Sequence, residues 1–139
     1  DRRRTAHAGP RARVVLGAGV RTVTRVFTGR VSYRGPDRLD VTRKSAGPEG
    51  VAFAPSWTFL GPMLKLEPAA RAYAWPKYAA DYTAEMRASY KLNRSAWDAL
   101  VSRSRVVLVC YCVIPERCHR TLLARNVLSK LGATYRGEL

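Results

Sequence analysis

The chain has 139 residues, enough for one domain with a two- or three-layer core. Its hydrophobic fraction of 47% is ordinary for a globular fold, and its apolar runs are too short for a membrane-spanning helix. Lys and Arg number 25 against 10 acidic residues, a formal net charge of +15, so an anionic partner is the natural expectation: DNA, RNA or a nucleotide.

The charge is uneven. Residues 1–44 carry 12 basic and 3 acidic side chains, and nearly all of the basic ones are arginine. The guanidinium fork grips phosphate and carboxylate bidentately, although a general arginine bias or a need for solubility gives the same composition. The basic amino terminus precedes no apolar stretch of signal-peptide length. Three cysteines in one tight cluster do not make a secreted disulfide framework, and a cytoplasmic setting is expected.

In chain order, residues 1–13 (DRRRTAHAGPRAR) read as a flexible basic arm, and its His7 as a stray histidine. Residues 14–139 are expected to form a single domain. The GAG at residues 17–19 lacks the spacing and following helix of a dinucleotide loop. A β-branched run predicts a strand from Val20 to Thr28, and Gly35-Pro36-Asp37 punctuates the connection to a short second strand, LDVT. A long loop, RKSAGPEGVAFAPSW, follows; loops of this length in compact domains are often functional.

Helix is predicted from Pro76 to Leu100, with Pro76 in its first turn and a break near Asn93. Tyr78, Tyr82, Met86 and Tyr90 recur every fourth residue, which puts them on one face. A one-sided stripe reads as core packing; base stacking would need the rings exposed. RVVLVCY is the clearest strand, apolar without alternation, as a strand covered on both faces should be. CHRTLLARNVLSKLG is the second helix, capped by Gly132, and ATYRGEL a last strand. The order implies an α/β fold, a single-domain sandwich with a partly parallel central sheet.

The chemistry concentrates in CYCVIPERCHR, where all three cysteines and one of two histidines fall within ten residues. In a parallel sheet, ligands sit beyond the carboxyl ends of the strands, where this segment lies. Four readings compete. In the leading one, Arg117, Arg120 and free backbone N–H groups bind a phosphate or carboxylate. In the second, Cys118 is a nucleophile with a lowered pKa and His119 its acid or base, although neighbouring helical residues point about 100° apart. The phosphatase loop, with five residues between cysteine and arginine, is absent, since that spacing from Cys110 or Cys112 reaches Glu116 or Cys118. In the third, Cys110, Cys112, Cys118 and His119 bind zinc. The close C-x-C spacing, the adjacency of Cys118 and His119 and the nearby arginines argue against it, so no metal and no cofactor are expected. In the fourth, the cysteines are small buried hydrophobes.

The stretch from Val106 to Leu139 resembles the end of a bacterial and phage family, domain of unknown function 488. Its members carry a hydrophobic strand ending in cysteine, an acidic residue two further on, Cys-His-Arg opening a helix, and a late Gly-Glu. Cys110, the triplet Cys118-His119-Arg120 and the pair Gly137-Glu138 match; Cys112 stands at the acidic position. Upstream, VFTG, LDVTR and FAPS resemble the family's first strand, second strand and a later loop. The resemblance implies an α/β domain with a basic, cysteine-bearing pocket and lends no specific activity. It also implies that three loops converge: Thr28 and Arg30 after the first strand, Arg43, Lys44 and Ser45 after the second, and Cys110, Cys112, Arg117, Cys118, His119 and Arg120 after the third. Asp40 reads equally as an orienting partner for a nearby arginine and as a participant in chemistry, and Tyr33, Ser45 or Ser56 could enter the cleft without a sequence signal.

The expected function is therefore binding of a phosphate-containing ligand, nucleotide or nucleic acid, in a basic cleft, with Arg43, Arg120 and the helix amino terminus as its main contacts. The alternatives are a small cysteine-dependent enzyme acting on an anionic substrate through Cys118 and His119, and a metal-binding structural or interaction module.

Overall fold

The structure, a computed structural model, describes residues 13–16 and 19–139, with side chains from Val23 onward. The basic arm lies outside the described residues, apart from Arg13. A two-stranded antiparallel hairpin, β1 (Arg13–Leu16) and β2 (Gly19–Thr22), precedes a four-stranded sheet of β3 (Arg25–Arg30), β4 (Arg38–Asp40), β5 (Arg105–Cys110) and β6 (Thr134–Glu138). The sheet order is β4-β5-β3-β6, and every pairing in it is parallel. The chain is thus a single α/β domain. Its central sheet is wholly parallel, and among the described residues antiparallel pairing is confined to the hairpin.

The single strand expected over Val20–Thr28 is two strands. Thr24 separates them because its Oγ1 donates to the carbonyls of Val101 (2.8 Å) and Arg103 (2.5 Å), which turns this residue toward the segment that leads into β5. β5 is interior, as its apolar run requires. Val106, Val107, Leu108 and Val109 are all fully buried. Val106 and Leu108 join the main core with Val26 and Leu39, whereas Val107 and Val109 lie outside that cluster. Their face is closed by the 31–37 loop: a Cβ on Gly29 would meet Val107 Cγ1 at 3.4 Å and Tyr33 Cβ at 3.8 Å. Arg38 pins that loop by donating to the carbonyls of Tyr33 and Val31. Asp37 holds it from the other end through Arg105 and the Tyr33 hydroxyl.

Between β4 and β5 run α1 (Trp57–Leu64), α2 (Pro68–Leu92) and α3 (Arg94–Val101). α2 begins eight residues before Pro76, which therefore lies inside the helix and not in its first turn; Pro68 is the proline at the start. No element is expected between the long loop and Pro76, yet α1 forms there despite Gly61 and Pro62, residues that weaken a helical pattern. The tyrosine stripe is core: Tyr82 and Met86 are fully buried and Tyr78 nearly so. Its polar tips are satisfied by a 3-10 turn, Val51–Phe53, inside the long loop. Tyr82 donates to the Phe53 carbonyl at 2.7 Å and Ser89 to the Ala52 carbonyl at 2.7 Å, while Trp97 Nε1 donates to Ser89 Oγ at 3.1 Å. Gly50 lets this loop close on β4, for a Cβ there would strike the Asp40 carbonyl oxygen at 1.9 Å. No helix among the described residues is long and apolar enough to cross a membrane.

After β5 a 3-10 turn, Pro115–Arg117, leads into α4 (His119–Leu122), which continues as a π turn (Leu123–Val127) and a 3-10 turn (Leu128–Leu131). Gly132 ends it in the left-handed region at φ 97°, as its place after the leucine stripe predicts.

Candidate functional site

Four strand ends define the site. Cys110 closes β5, in register with Arg30 at the end of β3; Val41 follows β4, and Glu138 is the last residue of β6. α4 starts above them, and consecutive helical side chains diverge by about 100°. His119 and Arg120 therefore fasten to different strands. His119 Nε2 lies 2.7 Å from the Val41 carbonyl oxygen, which can only accept, so this nitrogen carries the hydrogen. Arg120 reaches the other way and grips Glu138 with two nitrogens, Nε to Oε1 at 3.3 Å and Nη2 to Oε2 at 2.9 Å. Its third nitrogen, Nη1, donates to the Cys112 carbonyl (2.9 Å) and to Cys118 Sγ (3.2 Å).

Three sulfurs meet within this frame. Those of Cys110, Cys112 and Cys118 all lie within 4.8 Å of one another and form a potential ligand- or metal-binding cluster. Cys110 Sγ is 3.8 Å from Cys112 Sγ and 3.7 Å from His119 Nδ1. Cys110 and Cys118 are buried, and Cys112 is the half-buried member. Three sulfurs in contact cannot all ionise, because like charges in a poorly solvated site repel. Thiol hydrogen bonds from Cys110 and Cys118 stabilise the Cys112 thiolate against burial, with help from the Arg120 and Arg71 charges, and its pKa is pushed down to about 3. Burial, then the neighbouring sulfurs, push the Cys118 thiol well up. The lowered thiol expected at Cys118 is therefore found at Cys112. The direct cysteine–histidine contact likewise involves Cys110, not Cys118.

Beside the cluster is a cavity of about 240 Å³, between α1, α2 and the segment after β5. Cys112, Cys118 and His119 line its inner part, with Leu60, Met63, Trp75 and Tyr78 as largely apolar walls and the exposed Arg71 and Arg117 also on its lining. Burial, then the adjacent cysteines, raise the Tyr78 phenol above its ordinary value, so it stays protonated at neutral pH.

The other candidates ring the same sheet end in different capacities. Arg120 is fully buried and committed to Glu138, so it does not face an external phosphate. Arg43 is turned into the long loop, with Nε and Nη2 on the carbonyls of Pro55 (2.8 Å) and Ala54 (3.0 Å). Thr28 is buried against the Tyr135 hydroxyl at 2.7 Å. Arg30 and Lys44 are exposed. Ser45 bonds Asp40, Thr42 and Tyr111. Asp40 thus caps the turn that follows it and does not grip an arginine; burial opposes its ionisation, but Ser45 and Thr42 hold its carboxyl below the usual range. Ser56 donates its backbone N–H to Glu85 and Tyr33 lies on the far face, so neither joins the sulfurs. Arg71 and Trp75 carried no sequence signal: they come from a stretch whose fold was not foreseen, and only tertiary packing brings them to the cavity.

A family profile described as the active DUF488-N3 subclade, DUF488-N3a, matches residues 20–132. The chain belongs to that family. The DUF488-N3a match takes in the sheet strands β3 to β5, the cysteine segment and α4; Glu138 falls beyond it. No curated protein and no solved structure gives a significant match. At the position where the resemblance leads one to expect an acid stands Cys112, a thiol whose pKa is lowered by its cysteine neighbours.

Proposed function

We propose that this DUF488-N3a chain is a cysteine-dependent enzyme in which the Cys112 thiolate attacks a small anionic substrate held in the adjacent cavity. One observation carries the reading: of three clustered sulfurs, the one left partly open lines the cavity, with Cys110 Sγ 3.8 Å away and Cys118 Sγ within 4.8 Å, neighbours that lower its pKa. A thiolate is the nucleophilic form of cysteine, and this arrangement supplies it at neutral pH without a direct base. Cys118 becomes a hydrogen-bond donor to the nucleophile. His119, reached through Cys110, offers an exit for a proton. Arg120 tethers the loop at Cys112, while Arg71 and Arg117 offer positive charge to an acidic group. The volume falls below the roughly 300–1,000 Å³ of sites for drug-sized ligands, so the cavity suits a small molecule or the reacting end of a nucleotide. The subclade's description as active is in keeping with a catalytic use of the cluster. A reducing, cytoplasmic setting belongs to the same reading, because it keeps three neighbouring thiols free.

Alkylation by iodoacetamide from about pH 4 to about pH 9, mapped by peptide mass, tests it, since an ordinary thiol loses reactivity below its pKa near 8.5. Cys112 should react at about pH 5, with Cys110 and Cys118 spared. Inorganic phosphate or a nucleoside monophosphate should slow the labelling, and Arg117→Ala should weaken that protection. If Cys112 reacts only as an ordinary thiol does, the nucleophile assignment fails. Purification with about one equivalent of zinc, whose removal unfolds the domain, would instead make the cluster a structural metal centre.

A further inference from the structure

We propose that Cys112 is an oxidation site for small hydroperoxides and that Cys110 resolves the oxidised form as an internal disulfide. The inference rests on the reading of Cys112 as the reactive sulfur and adds a second chemistry to it. Its basis is placement. Susceptible cysteines are accessible and stand beside a resolving thiol. Cys112 is partly exposed on a cavity that readily admits a hydroperoxide, and Cys110 Sγ lies 3.8 Å behind it. Cys118 Sγ is engaged by Arg120 Nη1 at 3.2 Å, whereas Cys110 Sγ already points at Cys112 Sγ and needs only a short approach to bond it.

The steps balance. The Cys112 thiolate attacks the terminal oxygen of the hydroperoxide; an S–O bond forms and the O–O bond breaks. Sulfur loses two electrons, and the departing alkoxide or hydroxide takes up a proton. Cys110 then attacks the sulfur of the Cys112 sulfenic acid. The S–S bond forms, the S–O bond breaks, and hydroxide leaves as water with the Cys110 hydrogen. His119 Nδ1, 3.7 Å from Cys110 Sγ, is placed to take that hydrogen in passing. A dithiol reductant reverses the second bond by exchange. Oxidation removes the nucleophile, so it would switch the proposed activity off until reduction.

The chain carries its own readout. Trypsin cuts after Arg105 and Arg117, so Cys110 and Cys112 share the peptide 106–117 while Cys118 falls in the next. Full-length protein is treated with hydrogen peroxide, alkylated, digested without reduction and weighed. The expected product is peptide 106–117, unalkylated and lighter by two hydrogens, restored by dithiothreitol. Cys112→Ser should abolish that mass loss, and Cys110→Ser should leave a sulfenic acid on Cys112 that a cyclic 1,3-diketone traps. A disulfide joining 106–117 to the Cys118 peptide would overturn the assignment of Cys110, and a fully alkylated 106–117 after peroxide would overturn the oxidation site. Low-pH alkylation of Cys112 separates the two readings. If Cys112 alkylates but forms no disulfide, only this inference falls; if Cys112 is inert to both reagents, the nucleophile falls with it.

Discussion

At the scale of single residues, the site depends on where one negative charge settles among three sulfurs. Burial penalises ionisation most at Cys118, and hydrogen bonding rewards it at Cys112. The sign of the pH dependence follows. The folded Cys112 thiol lies far below its unfolded value, so its contribution is full above about pH 8.5 and is lost as pH falls toward about 3. Cys118 works oppositely, with a contribution lost as pH rises above the ordinary thiol range. Urea unfolding at pH 5 and pH 8 should therefore show stability rising with pH, by at most about 1.4 kcal/mol per unit from this group, and Cys112→Ser should flatten the slope. An unchanged slope in the variant would place the charge elsewhere. Glu138 gives a second case. Burial opposes its ionisation, but Arg120 and Thr28 hold its carboxyl below the usual range, so its support fades as pH drops below about 4. Glu138→Gln leaves the buried Arg120 charge without its counter-ion. The loss should be about 2–4 kcal/mol, below that of a fully enclosed pair because Glu138 is 27% exposed.

At the scale of elements, the long loop is functional in a different sense from the one its length implies. It is a structural plug: its 3-10 turn accepts the hydroxyls of Tyr82 and Ser89, and its carbonyls accept Arg43. Trp97 joins the same core, fully buried against Phe53 with ring centroids 4.8 Å apart. Trp97→Ala should cost about 3–5 kcal/mol by denaturant unfolding, as large aromatic truncations in cores do. α4 shows a finer effect. Its sequence specifies one apolar face and a glycine stop, but the segment opens into a π turn after Leu122, a shift often seen near functional sites. Gly132→Ala, at φ 97°, should cost about 1–2 kcal/mol without altering Cys112 reactivity. A loss of reactivity in that variant would show that the end of α4 communicates with its start.

At the scale of the whole molecule, the net charge of +15 and the sulfur site are separate properties. Two arginines expected to hold phosphate, Arg43 and Arg120, are spent on the protein itself, and Arg71 donates to the carbonyls of Leu64 and Leu66, while Arg30, Lys44 and Arg117 are exposed. Any association with nucleic acid should thus be diffuse. Its affinity should fall steeply with salt and be the same in Cys112→Ser as in the unaltered chain. A filter-binding titration of single-stranded and duplex DNA at several salt concentrations measures this. Salt-insensitive binding that Cys112→Ser abolishes would tie nucleic acid to the sulfur site after all.

Much of this arrangement was legible in one dimension. The apolar run of Val106 to Val109, the leucine stripe before Gly132 and the tyrosine stripe of α2 each declare their burial, because strand and helix periods are local properties of backbone geometry. The concentration of cysteines at a strand end also marked the site. What no local pattern could decide was the division of labour within it. Which of Cys112 and Cys118 ionises more easily depends on which sulfur is the more deeply buried and which accepts the thiol hydrogen bonds. Whether Arg120 binds a ligand or Glu138 depends on β6 lying beside β3, across the sheet from β4. The α1 helix, formed despite Gly61 and Pro62, supplies a wall of the cavity only once packed against α2. Local propensity chose the elements; burial and hydrogen bonding between groups brought together in space set which of the three thiols ionises most easily.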